Sequence, residues 1–178
     1  YYLNGVALAG LEQDEDAILA FKKSLEKNSY DFEALAGIGQ IYYSRAEKTF
    51  SVSDAKNSIE YFKKAIKLNP NCNSYYFYNG LNELQLGNIN SSIENFNSAI
   101  KLKPNDYNSL YYKLIAQYIK GDYSDVIEGS TNLLYKHVSN YNSVLYLRAL
   151  AQYKSESYDL ALEDLGKIYN NTHDIYNE

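Results

Sequence analysis

Apolar residues recur along this chain in ten bursts of helical period, separated by short polar breaks. Ile93, Phe96, Ala99 and Ile100 share one face of such a burst, spaced as the buried stripe of an amphipathic helix requires. The pattern predicts helices over 1–11, 14–28, 32–47, 53–68, 73–86, 90–103, 107–120, 124–138, 142–155 and 158–170, and no sheet. The breaks carry turn chemistry, clearest at Gly87-Asn88 and Gly121-Asp122, while Pro70 and Pro104 stop the helices that precede them. Asn90, Ser124 and Asp159, each behind an apolar residue (Ile89, Tyr123, Tyr158), read as N-caps with the first half of a hydrophobic staple.

The bursts come in pairs, and the pairs repeat. "AIKLNPN" at 65–71 returns as "AIKLKPN" at 99–105, matching at six of seven positions 34 residues apart. Sliding the chain by 34 or 35 residues brings five units into one frame, near 1–31, 32–72, 73–106, 107–141 and 142–175. Each has a small residue in its first helix (Gly5, Gly39, Gly80, Ala149), with Leu114 as the misfit. The second unit carries about seven extra residues within 44–54, close to two helical turns, so its first helix could extend to about Lys48 without rotating its faces.

This anatomy resembles the tetratricopeptide repeat, a 34-residue helix–turn–helix with a small–Tyr–Ala–Phe–Ala–Pro skeleton. Unit two offers Gly39, Tyr42, Phe62, Ala65 and Pro70, with Ser58 where the first alanine of the second helix usually stands. Unit three offers Tyr76, Gly80, Gly87, Phe96, Ala99 and Pro104. Unit one contributes Gly5, Ala17 and Phe21, and unit five Ala149, Ala161 and Leu165. The resemblance covers nearly the whole chain and implies one all-α array, a right-handed α-solenoid whose first helices (A) line a concave surface and whose second helices (B) lie behind. No unit can bury its apolar face alone, so each leans on its neighbours.

Composition narrows the partners. The net charge is −5, and no run of Lys or Arg exceeds a pair such as Lys22-Lys23 or Lys63-Lys64, so nucleic acid is not expected. No apolar run is long enough for membrane insertion. Cys72 stands alone, which agrees with a reducing, cytoplasmic setting. The chain has no Met and starts at Tyr1, and "THDIYNE" at its end makes no polar cap, so it reads as a piece of something longer. The same missing caps motivate an alternative role, self-assembly into homo-oligomers through terminal units.

Enzymatic constellations are not found, and no cofactor or metal is implied. His137 and His173 fall at the ends of two B helices, and Cys72 has no ligand spacing around it. Glu12, Asp14, Glu15 and Asp16 precede or open a B helix, where carboxylates meet its positive end.

The informative feature is tyrosine. Tyr and Asn codons are A/T-rich, which accounts for their number but not their placement: fourteen of the 21 tyrosines fall on A helices. The family's inward positions correspond to Tyr2, Leu3 and Val6, then Ala36, Gln40 and Tyr43, then Phe77, Tyr78, Leu81 and Leu84. Units four and five supply Tyr111, Tyr112, Ile115 and Tyr118, then Tyr146, Leu147, Leu150 and Tyr153. The expectation is a non-enzymatic scaffold that binds a peptide or helix of another protein in an aromatic groove. Its contact residues are expected in units three to five: Phe77, Tyr78, Leu81, Tyr111, Tyr112, Ile115, Tyr118, Tyr146, Leu147 and Leu150. Co-chaperones of the family that clamp a C-terminal carboxylate use Lys, Asn and Arg at A-helix positions that here hold Tyr, Val, Gly, Leu or Ile. A chaperone tail is therefore not the expected ligand.

Overall fold

The computed structural model describes residues 1–136 and 138–175, the last five without their side chains. His137, the side chain of His173 and the last three residues of the "THDIYNE" tail thus lie outside what is described. Among the described residues there are ten helices and no strand: α1 (Tyr2–Gly10), α2 (Asp14–Lys27), α3 (Phe32–Thr49), α4 (Val52–Leu68), α5 (Asn73–Gln85), α6 (Ile89–Leu102), α7 (Tyr107–Lys120), α8 (Tyr123–Leu134), α9 (Tyr141–Lys154) and α10 (Tyr158–Ile175). They form two compact units, Tyr1–Pro104 with α1–α6, and a second from Asn105 onward with α7–α10. Within the first, each helix packs on the next, and α1, α3 and α5 also touch in sequence to form a layer of A helices. The second unit repeats this with α7 beside α9.

The turn inside each pair follows from backbone geometry. Glu12, Gly87, Gly121 and Glu156 take positive φ at equivalent places. The next amide then reaches back five residues: Gln13 to Leu8, Asn88 to Glu83, Asp122 to Gln117 and Ser157 to Gln152, at 2.8–3.0 Å. This closure satisfies carbonyls left open at a helix end. It also corrects the expected caps. The B helices begin at Ile89, Tyr123 and Tyr158, so Asn90, Ser124 and Asp159 are already helical. The flanking residues Asn88 and Asp122 make no cap bond with their side chains. Asn88 donates to Glu83 instead, and Asp122 accepts from Lys120. A second correction concerns α8, which stops at Leu134 because Val138 must leave the helical path to join the core beside Val144.

The extra residues of the second pair lengthen both of its helices. α3 and α4 have 18 and 17 residues against 13 and 14 in α5 and α6. At the tip Phe50 adopts φ 54°, and Ser51 caps α4 by accepting from the Asp54 amide. Arg45 donates to Glu15 at 2.6 Å, tying this longer hairpin to the first pair.

A buried aromatic centres each of the first three pairs: Phe21, Phe62 and Phe96. Glycines make room for them. A Cβ on Gly5 or Gly37 would stand 2.7 or 2.6 Å from the Phe21 ring, and one on Gly80 would stand 2.6 Å from Phe96. Hydroxyls fasten the crossings, with Ser58 donating to the Gly39 carbonyl and Ser92 to that of Gly80.

The fourth pair exchanges knob and hole. Leu114 holds the position of Gly80, and Ser130 that of Phe96, so the bulk comes from the A helix; a Cβ on Gly129 would overlap Leu114. Both Leu114 and Ser130 are buried, so the misfit is a compensated one. We expect Leu114→Gly and Ser130→Phe each to destabilise the protein, one by a cavity and the other by overpacking. Combined, they should cost less than their sum, with a coupling of about 0.5–3 kcal/mol in a double-mutant cycle. Simple additivity would contradict the exchange.

Candidate functional site

Small residues on the A helices leave a hollow in the first unit. It measures about 630 Å³ and is bordered by α1, α3 and α5. Glu33, Gly37, Gln40, Ser44 and Lys48 recur at one helical face of α3 and run through it from rim to rim. Ala36 and Gly37 keep its floor low. Val6, Ala9 and Gly10 form the α1 wall, and Tyr75 and Tyr78 form the α5 wall.

Tyr78 is held before any ligand arrives. Its ring stacks on Phe62 at 5.3 Å and tilts against Tyr43 at 5.0 Å and Phe77 at 5.6 Å. The Gln40 amide donates to its hydroxyl at 3.5 Å, the outer limit of a hydrogen bond. Burial pushes the Tyr75 phenol well above its ordinary pKa, with Cys72 beside it adding to the rise. Tyr2 is raised first by burial and then by Glu33 and Asp31. Both phenols therefore remain protonated and able to donate at neutral pH.

The rims are polar. Glu12, Asp14 and Lys48 stand at one, Glu33, Cys72 and Ser74 at the other. Lys48 lies 3.7 Å from Glu12. No group of three or more His, Cys, Asp or Glu among the described residues is placed to hold a metal ion.

The structure distributes the expected contact residues unevenly. Of the ten, Tyr78 alone lines this hollow. Phe77 packs at 6.0 Å from Phe96 and is half-buried, as is Leu81. In the second unit Tyr111, Ile115 and Tyr118 pack against the core, and Leu147 lies within it. Burial raises the Tyr111 phenol, partly opposed by a hydrogen bond with Ser143. Tyr112 sits edge-on to Tyr111 at 5.7 Å; Leu150 is half-buried, while Tyr146 is exposed. Gly37, Ser44, Lys48 and Glu33 line the hollow but are not among the expected contact residues. Their signal was the small and polar period along α3, which is easily taken for a solvated face.

A model of the tetratricopeptide repeat matches residues 51–72 and 80–106, covering α4, the second half of α5 and α6. No curated protein sequence matches the chain. Among solved structures, MamA is 18% identical over 98% of this chain and 97% of its own, with a TM-score of 0.85. MamA from Desulfovibrio magneticus RS-1 is 15% identical, over 96% and 92%, with a TM-score of 0.83. YrrB, described as a tetratricopeptide protein with an unusual peptide-binding site, is 17% identical over 93% of this chain and 81% of its own, at 0.81.

Residues 51–72 and 80–106 match the tetratricopeptide repeat, and the whole chain shares the fold of YrrB, a tetratricopeptide protein. Its fold class is the all-α helical-repeat solenoid. In tetratricopeptide terms α1, α3, α5, α7 and α9 are the A helices, and the glycine–phenylalanine pairs are the family's A–B crossing. Arg148, on the A helix α9, is held by residues of the neighbouring B helices. It donates to both Asp164 oxygens at 2.7 Å and to Thr131 at 2.9 Å.

Proposed function

We propose that this chain is a non-enzymatic scaffold that holds a segment of another protein in the hollow between α1, α3 and α5. The observation that carries this reading is a cavity of about 630 Å³ floored by Ala36 and Gly37 and walled by a pre-positioned Tyr78. Apolar floor supplies burial, and the Gln40 amide and Ser44 hydroxyl offer hydrogen bonds to a peptide backbone. Fixing the Tyr78 ring beforehand removes an ordering cost from binding. The described peptide binding of YrrB, similar in fold, supports the same reading.

Ala36→Arg tests it, because a long side chain on the floor occupies the hollow while α3 stays helical. Peptides selected from a random displayed library on the wild-type chain should lose at least about tenfold in affinity for the variant. Its melting temperature should stay near that of wild type. Unchanged affinity would end the reading.

A second reading, self-association, draws on α10. Leu162 and Leu165 hold the positions of Ile18 and Phe21 but are 68% and 41% exposed, against 4% and 2%. In repeat proteins such faces are covered by a neighbour. Sedimentation over a range of concentrations decides it: an average mass that rises with concentration supports self-association, and a constant monomer mass dismisses it.

A further inference from the structure

We infer that the segment taken by the hollow is basic, carrying Lys or Arg on both flanks of a short apolar centre; this rests on the groove reading above. Charge placement carries the inference. Glu12 and Asp14 stand at one rim and Glu33 at the other, against Lys48 alone, which already lies beside Glu12. α1 contributes no charged residue, and Glu83, the one acid of α5, is buried and hydrogen-bonded to Asn88. The other lysines of the first two repeats are elsewhere: Lys22, Lys23, Lys27, Lys56, Lys63, Lys64 and Lys67 all sit on the B helices α2 and α4. None of these seven borders the hollow. Packed helix axes are about 8–10 Å apart, roughly one Debye length at physiological salt, so those cations are largely screened from it.

A ligand side chain that reaches either rim therefore meets carboxylate. At the Glu33 rim it also meets the Tyr2 ring, which Glu33 influences electrostatically, so an ammonium or guanidinium can use the carboxylate and the aromatic face together. Between the rims Val6, Ala36 and the Tyr78 ring offer apolar surface, which favours a small or aliphatic residue there. From Glu33 to Lys48 α3 runs roughly 22 Å, the length of about six or seven extended residues. The occupant is thus a short extended stretch with basic residues on either side of its middle. An acidic tail would bring like charge to both rims, and that is costly.

The test uses the whole chain and a library of random peptides roughly twice that length. Selected binders should be enriched in Lys and Arg over the input. The best of them should weaken at least about tenfold against a Glu33→Lys, Asp14→Asn variant. Its affinity should also fall as salt rises from roughly 50 to 300 mM. Gln40→Ala, which leaves every charge in place, should retain the salt dependence. Binders that Ala36→Arg blocks, but that are neutral or acidic and indifferent to the charge changes, would overturn the inference and leave the groove reading standing. Binders indifferent to Ala36→Arg would overturn both.

Discussion

Phe96→Ala is expected to destabilise the protein by about 3–5 kcal/mol, the usual cost of truncating a fully buried ring. Phe96 is 0% exposed, and its ring occupies a slot that exists because Gly80 has no side chain. Collapse of the cavity would need backbone movement of α5, because glycine offers nothing that can swing inward. Repeats contact chiefly their neighbours, so the loss should be local before it is global. Denaturant unfolding measures the total, and amide exchange should show protection falling first in α5 and α6. A loss below about 1 kcal/mol, or exchange unchanged in those helices, would contradict the packing described.

Asp164→Ala should be comparably severe for a different reason. Arg148 and Asp164 form a two-pronged ion pair with side chains 15% and 2% exposed, and Thr131 completes the guanidinium's partners. The pair links α8, α9 and α10. Deleting the carboxylate strands a largely buried cation, a change that costs about 3–5 kcal/mol in comparable sites. Replacing both members with apolar residues should restore most of the loss, because a well-packed apolar pair carries no desolvation penalty. The expected order of melting temperature is wild type near Arg148→Met with Asp164→Leu, and both well above Asp164→Ala. A double variant as unstable as the single one would show that the pair contributes more than it costs to bury.

Helix number, pairing and repeat length were legible because period and punctuation are local: Ile93, Phe96 and Ile100 mark a face, and Pro70 and Pro104 mark its end. Capping was misplaced by two residues at Asn90, Ser124 and Asp159. The αL closure at Gly87 and Gly121 returns the chain to helical geometry at once, and a side-chain rule does not see that. Leu114 looked like a defect because its compensation, Ser130 and Gly129, lies a helix away. The expected contact residues and the hollow overlap least. Counting rings leads to positions such as Tyr111 and Tyr118, which pack against the second unit's core. A hollow requires missing volume, so Ala36, Gly37 and Gly10 were the informative residues, and their signal is the absence of a side chain. Tyr78 belongs to both descriptions, since it is an aromatic that borders space rather than occupying it.

Amide chemical-shift mapping with a selected peptide tests most directly whether the hollow between α1, α3 and α5 is where a partner segment sits. On titration, the largest perturbations should fall on α3 around Ala36, Gly37 and Gln40, with Val6 and Tyr78 moving at the same ligand concentration. The B helices α2 and α4 should stay nearly still on their outer faces. Perturbations concentrated on those outer faces, or on α7 to α10, with α3 unmoved at saturation, would contradict the proposal.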